Sequence, residues 1–152
     1  MFGEKQKTKV YIGSDHAGFE AKSELKKFIE EKGYEVTDLG CFSADPCDYP
    51  DIAREVSEKV LEVEGARGVL ICGTGIGMSI AANRLFGIRA VLATDKHYAE
   101  MGRNHNDANV LAMGARTTNI DNMKAIFETF MATEFAGEER HLRRVRKLDG
   151  NN

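Results

Sequence analysis

The chain has 152 residues, of which 42% are hydrophobic and 30% are charged, and its formal net charge is −3. These values are typical of one folded domain, and they exclude a disordered chain or a strongly basic nucleic-acid-binding protein. No apolar run reaches the roughly 18 to 20 residues of a transmembrane helix, and the polar start MFGEKQKTK lacks the apolar core of a signal peptide. We therefore expect a cytoplasmic protein that binds neither membranes nor nucleic acids.

Short apolar runs alternate with amphipathic segments along the chain. The runs predict strands at residues 9–13, 34–39, 68–71, 88–93 and 109–113. The amphipathic segments predict helices at residues 18–32, 50–64, 78–85, 95–103, 120–135 and 138–148. This alternation predicts an α/β fold, namely a single Rossmann-like three-layer domain whose five-stranded parallel sheet has helices on both faces. We expect a short extension at 1–8, the domain at 9–149 and a tail at 150–152.

In such sheets ligands bind beyond the carboxyl ends of the strands. Asp15 and His16 follow the first strand, where they could transfer protons or bind an anion, or where Asp15 could only cap a helix. Arg116 follows the fifth strand. A polar cluster, RNHNDAN at 103–109, lies between the fourth and fifth strands, and a solvated loop would explain its Asn and Asp residues but not their clustering. We expect Asp15, His105 and the arginines to meet in one crevice.

The third strand leads into VLICGTGIGMS at 69–79. The glycine spacing differs from the G-x-G-x-x-G of dinucleotide sites, and no Lys-Ser/Thr pair follows as in a P-loop. A cysteine-phosphatase loop needs an arginine where Met78 stands. One remaining interpretation is an oxyanion site of backbone N–H groups, beside which Cys72 would act as a nucleophile or a base. The other is a tight turn with a packed cysteine.

A short basic segment occurs on the last predicted helix. Arg140 and Arg144 are four residues apart, so they share a face and could bind one phosphate, although a solvated basic face is the usual alternative. Together with the preceding motifs, this segment suits proton transfer on a small phosphorylated substrate, and no metal-ligand spacing is present. Three cysteines leave one without a partner, and a cytosolic setting would keep Cys41 and Cys47 reduced, with loop or packing roles.

Four motifs, GSDHAGF, DYP, CGTGIGMSIAAN and RNHNDANVL, occur in an order that resembles the ribose-5-phosphate isomerase B family, which includes galactose-6-phosphate isomerase subunits. The resemblance extends from about residue 9 to residue 148. It implies a sugar-phosphate isomerase that converts ribose 5-phosphate to ribulose 5-phosphate through ring opening and an enediolate, with no cofactor. It also implies a homodimer or a dimer of dimers with shared active sites. Hexose 6-phosphates as substrates, or phosphosugar binding without catalysis, are the alternatives.

The resemblance also implies residue roles. Cys72 would be the base that moves a proton between C2 and C1, Thr74 would assist proton exchange, and His105 with Asp15 would open the furanose ring. The anion hole would be formed by Gly73, Gly75, Ile76 and Gly77. Substrate or phosphate binding is implied for His16, Tyr49, Asn106, Arg116, Arg140 and Arg144, and Asn83 matches a position near the site. Some members carry a glutamate base where this chain has Met78, so the chain resembles the cysteine-base group.

Overall fold

The computed structural model describes residues 7–150, so the predicted extension and tail lie largely outside the described residues. Within this range the strands are β1 (Lys9–Ser14), β2 (Glu35–Asp38), β3 (Arg67–Cys72), β4 (Ala90–Leu92) and β5 (Val110–Gly114). The helices are α1 (Phe19–Glu31), α2 (Tyr49–Glu62), α3 (Ile76–Ala82), α4 (Lys96–Asn106), α5 (Ile120–Ala132) and α6 (Glu139–Leu148). A 3₁₀ turn at His16–Gly18 precedes α1. None of the helices in this range is long and apolar enough to cross a membrane.

The five strands form one parallel sheet in the order β2-β1-β3-β5-β4. The chain moves from β1 outwards to β2 and then back past β1 to β3. Because crossovers are right-handed, this reversal places α1 and α2 on opposite faces of the sheet. Helix α5 packs beside α1 and α4 packs beside α5, whereas α3 packs beside α2. The predicted three-layer α/β fold is therefore confirmed.

A hydrophobic core fills each face of the sheet. Successive strand side chains point to opposite faces, so Ile71 lies among the residues under α1, α4 and α5, whereas Leu70 lies among those under α2 and α3. Phe127 and Phe130 of α5 complete the first core. Burial on both faces explains why the central strands have continuous apolar sequences.

Two helix boundaries near the predicted motifs differ from expectation. Helix α4 continues past residue 103 to Asn106 and ends where Asp107 adopts a left-handed conformation with φ of 48°. The Asp107 carboxylate also pairs with Arg103, one turn earlier, at 2.8 Å. The polar residues at 105–107 favour turns and therefore predict a loop there from the sequence. Helix α3 begins at Ile76, two residues before the predicted start, directly after Gly75.

The prediction that Cys41 and Cys47 are unpaired is wrong, because the structure joins them in a disulfide. The loop after β2 folds back before α2, and this turn brings the two Cα atoms to 6.8 Å. The number of cysteines in the sequence does not indicate this turn. Cys72 is the free cysteine, and it is buried.

Candidate active site

The carboxyl ends of β1, β3 and β5 form a crevice at the centre of the sheet. In the strand register Ser14 is level with Ile71, and Cys72 is level with Gly114. The strand order reverses between β1 and β3, and this switch point is where open α/β sheets bind ligands. We call the segment from Cys72 to Gly77, which follows β3, the thiol turn.

The thiol turn surrounds Cys72 with backbone. The Cys72 side chain is buried, and its Sγ atom accepts a hydrogen bond from the Gly75 N–H at 3.1 Å. Gly75 has φ of 81°, and a Cβ atom added there would lie 2.7 Å from Leu92 Cδ1 and 2.8 Å from the Met113 carbonyl carbon. Glycine is therefore required at this point by both conformation and space. The Cys72 sulfur therefore faces a backbone donor inside the turn.

Two side chains lie against the thiol turn because it has no Cβ atoms at the points of contact. A Cβ atom on Gly73 would be 3.2 Å from Nη1 of Arg116. The backbone N–H of Arg116 donates to the Gly73 carbonyl at 2.9 Å. A Cβ atom on Gly77 would be 2.7 Å from the ring of Tyr49. The exposed Thr74 hydroxyl accepts from the Ile76 N–H at 3.3 Å. A guanidinium, a phenol and a hydroxyl thus border the turn that holds the thiol.

Asp15 lies at the end of β1 on the side of the crevice next to β3. Its Oδ1 accepts the Gly18 N–H at 3.1 Å, so it caps the 3₁₀ turn, as one of the two sequence interpretations predicted. Its own N–H donates to the Ile71 carbonyl at 3.2 Å, one residue before Cys72. Capping therefore coexists with a position beside the thiol turn. His16, the next residue, is exposed.

His105 and Asn106 lie at the other end of the sheet, so within one chain the structure does not bring them to the crevice that holds Asp15 and Arg116. Helix α4 starts beyond the carboxyl end of β4 and runs back for 11 residues, about 16 Å at 1.5 Å per residue. After it, the Asn109 N–H donates to the carbonyl of Arg89, the residue before β4, at 2.9 Å. The end of α4 is therefore beside the amino ends of the strands.

Helix α6 packs on this end of α4, and together they form what we call the α4–α6 corner, which contains His105, Asn106, Arg140, His141 and Arg144. The rings of His105 and His141 stack with centroids 4.6 Å apart and planes 9° apart. Burial, and then the proximity of His105, lower the pKa of His141 from 6.5. Arg140 and Arg144 are exposed, and Arg140 pairs with Glu138 at 3.2 Å.

Sequence reasoning did not select His141. Its spacing of four residues from Val145 on the buried stripe of α6 would have indicated that it faces the protein. Asn83 does not reach the crevice, because its amide hydrogen-bonds both backbone groups of Ala90 at the start of β4. Across residues 7–150, no cluster of three or more His, Cys, Asp or Glu residues could hold a metal ion.

A model of the Ribose/Galactose Isomerase family matches residues 10–148 of the chain. The chain belongs to this family. The resemblance inferred from the four motifs is thereby confirmed.

Curated relatives include the putative sugar phosphate isomerase YwlF of Bacillus subtilis, 46% identical over 141 residues that cover 92% of this chain and 94% of the relative. Ribose-5-phosphate isomerase B of Escherichia coli is 41% identical over 140 residues, with 92% and 93% covered. Among solved structures of family members, ribose-5-phosphate isomerase B of Clostridium thermocellum has a TM-score of 0.91 at 45% identity, covering 94% of this chain and 96% of that one. The type B enzyme of Trypanosoma brucei has a TM-score of 0.92 at 43% identity, covering 95% and 99%.

Proposed function

We propose that this protein interconverts ribose 5-phosphate and ribulose 5-phosphate. The observation that carries the proposal is the buried free thiol of Cys72, which accepts a backbone N–H inside a glycine turn at the switch point of the sheet. A thiol held in this way is suited to act as a base next to a carbon acid. The names of the relatives support the choice of substrate, and we expect the reaction to need no cofactor and to take place in the cytoplasm.

In the proposed reaction Cys72 removes the proton from C2 of the open-chain aldose and returns it to C1. The N–H groups of Gly73 and Gly77 stabilise the negative oxygen of the enediolate. Those of Gly75 and Ile76 join them when the substrate replaces their contacts with Cys72 Sγ and the Thr74 hydroxyl, and Thr74 exchanges protons with the substrate oxygens. A single donor of this kind typically contributes about 3 to 4 kcal/mol to the transition state. Before this step, His105 and Asp15 open the furanose ring.

The functional unit that we propose is a homodimer, or a dimer of dimers, in which each site combines two chains. The separation of Cys72 from His105 within one chain supports this, because β3 alone is about 18 to 20 Å long at roughly 3.3 Å per residue. A two-fold axis can place the α4–α6 corner of one copy at the crevice of the other, and it does so twice. Arg140, Arg144 and Asn106 would then bind the substrate held by His16, Tyr49 and Arg116.

The test compares kcat/KM for ribose 5-phosphate, allose 6-phosphate and galactose 6-phosphate. The expected result is the highest value for ribose 5-phosphate. A higher value for a hexose phosphate would replace the proposed substrate while keeping the reaction. Binding of all three without turnover would contradict catalysis itself.

A further inference from the structure

Helix α1 buries a lysine that the proposed reaction does not use. The Lys22 side chain is 1% exposed, and its Nζ atom lies 2.7 Å from Oδ1 of Asp38. It also donates to the Cys41 carbonyl, and the ring centroids of Phe19 and Phe42 lie 5.6 and 5.3 Å away. Burying an ammonium group is costly even when it is paired, and an apolar residue often serves the fold as well. Stability alone is therefore a poor reason for a lysine here.

Lys22 contacts the segment from Asp38 to Cys41, and this segment lies along the edge of the crevice. Asp38 Oδ1 accepts the Gly40 N–H at 2.9 Å in addition to the Lys22 ammonium. The Gly40 carbonyl accepts the Ser14 N–H at 2.7 Å, and the Cys41 N–H donates to the Ser14 carbonyl at 2.7 Å. Lys22 thus holds a short segment that binds both backbone groups of Ser14.

Ser14 directly precedes Asp15, whose own N–H is bonded to the Ile71 carbonyl. The backbone at Asp15 is therefore fixed at two points. Gly40 and Cys41 hold the preceding residue, Ser14, and β3 holds the N–H of Asp15 itself. We propose that Lys22 is a positioning residue that sets the orientation of Asp15 for ring opening. This inference rests on the proposed function.

The chemistry separates ring opening from proton transfer. Ring opening breaks the bond between C1 and the ring oxygen, while the C1 hydroxyl loses its proton and the ring oxygen gains one. Ribulose 5-phosphate has its C5 hydroxyl esterified and is therefore open-chain. Exchange of its C1 hydrogen with solvent deuterium needs only the thiol and the anion hole. Conversion of ribose 5-phosphate needs ring opening as well.

The test is the full-length Lys22→Met variant, measured in two reactions. We expect kcat/KM for ribose 5-phosphate to fall about tenfold to a hundredfold, as expected for small misplacements of a reacting group. We expect deuterium exchange into C1 of ribulose 5-phosphate, followed by NMR, to stay within about threefold of wild type, since Cys72 is held by β3. Lys26→Met is the matched control, because Lys26 is a partly exposed lysine one turn further along α1. It should change neither reaction.

An equal loss in both reactions, or no loss in either, would overturn the inference and leave Lys22 as a purely structural residue. If Lys22→Met does not fold, Lys22→Met with Asp38→Asn removes both charges while keeping an acceptor for the Gly40 N–H, and the same two rates decide. Asp15→Asn serves as the reference for a selective loss of ring opening. A wild-type protein that catalyses neither reaction would instead contradict the proposed function.

Discussion

The crevice and the α4–α6 corner both present polar groups, but the crevice presents them mainly from the backbone and the corner from side chains. The crevice is built largely from backbone, with a buried thiol held by the Gly75 N–H. The corner is built from side chains on helix surfaces, with two exposed arginines and a pair of stacked histidines. The first is suited to stabilise a developing charge with fixed dipoles, and the second to bind a phosphate that is already charged. In the proposed function each region supplies one part of a shared site.

The largest effect should follow from removing the thiol from the crevice. Cys72→Ala should lower kcat about a thousandfold, because a positioned general base typically contributes a factor of about 10² to 10⁴. Binding of ribose 5-phosphate, measured by calorimetry, should change little, since the phosphate contacts are kept. Turnover close to that of wild type would remove Cys72 from the role of base.

The second prediction tests whether crevice and corner of different copies combine. Cys72→Ala and His105→Ala should each be inactive alone, whereas their 1:1 mixture, refolded together, should recover about one quarter of wild-type activity in a two-fold dimer with shared sites. The reason is that half of the dimers are mixed, and each mixed dimer has one site with both groups intact. A mixture as inactive as its components would show that each chain forms its own site.

The third prediction concerns the corner alone. Arg144→Ala should raise KM for ribose 5-phosphate about tenfold to a hundredfold, because a hydrogen bond to a charged group is worth about 1.5 to 3 kcal/mol. The value of kcat should change much less. Arg146→Ala, an exposed arginine on the same helix, is the control and should leave KM unchanged. A fall in kcat at constant KM would contradict a role in holding phosphate.

The fourth prediction tests how rigidly the crevice is built. Gly75→Ala should lower the free energy of unfolding by about 3 kcal/mol. The left-handed conformation costs a residue with a Cβ atom about 1 to 2 kcal/mol, and overpacking against Leu92 and Met113 adds the rest. Gly65→Ala isolates the conformational part, because Gly65 has φ of 79° and nothing within 4 Å of an added Cβ atom. Urea unfolding of both variants gives the difference. Equal losses would show that space around Gly75 does not matter.

The smallest effect is the pH dependence of the corner. The pKa of His141 is lowered in the folded protein, so the unfolded chain binds more protons as the pH falls through about 6.5, the ordinary value for histidine. Stability should therefore fall below that pH. His141→Gln should show a smaller loss of unfolding free energy between pH 7.5 and pH 5.5. Identical pH slopes in the two proteins would contradict the contribution of His141.

The strands and the thiol turn were predictable because their signals are local. Buried parallel strands produce continuous apolar runs, and the spacing of the glycines excluded the common phosphate loops. The position of His105 depends on chain direction instead. A helix that starts beyond the carboxyl end of β4 must carry its last residues back to the amino end, and this could have been derived from the predicted helix.

The lysine in α1 and the pairing of Cys41 with Cys47 depend on how distant segments meet. A lysine within an amphipathic helix usually marks the solvated face, and only the approach of Asp38 and the Cys41 carbonyl makes a buried position possible for Lys22. Likewise, the loop after β2 is held in part by hydrogen bonds of Gly40 and Cys41 with Ser14, a residue of a different strand. Local sequence patterns do not report such contacts.

The amide of Asn83 has a consequence for how copies of the chain meet. It accepts the Ala90 N–H at 2.7 Å and donates to the Ala90 carbonyl at 3.0 Å, as the backbone of an adjoining strand would. An exposed sheet edge is a template on which another chain can add a strand and begin to aggregate. By occupying these two groups, one side chain closes part of the β4 edge. In the proposed homodimer, the two copies would then meet through helix surfaces instead of this edge.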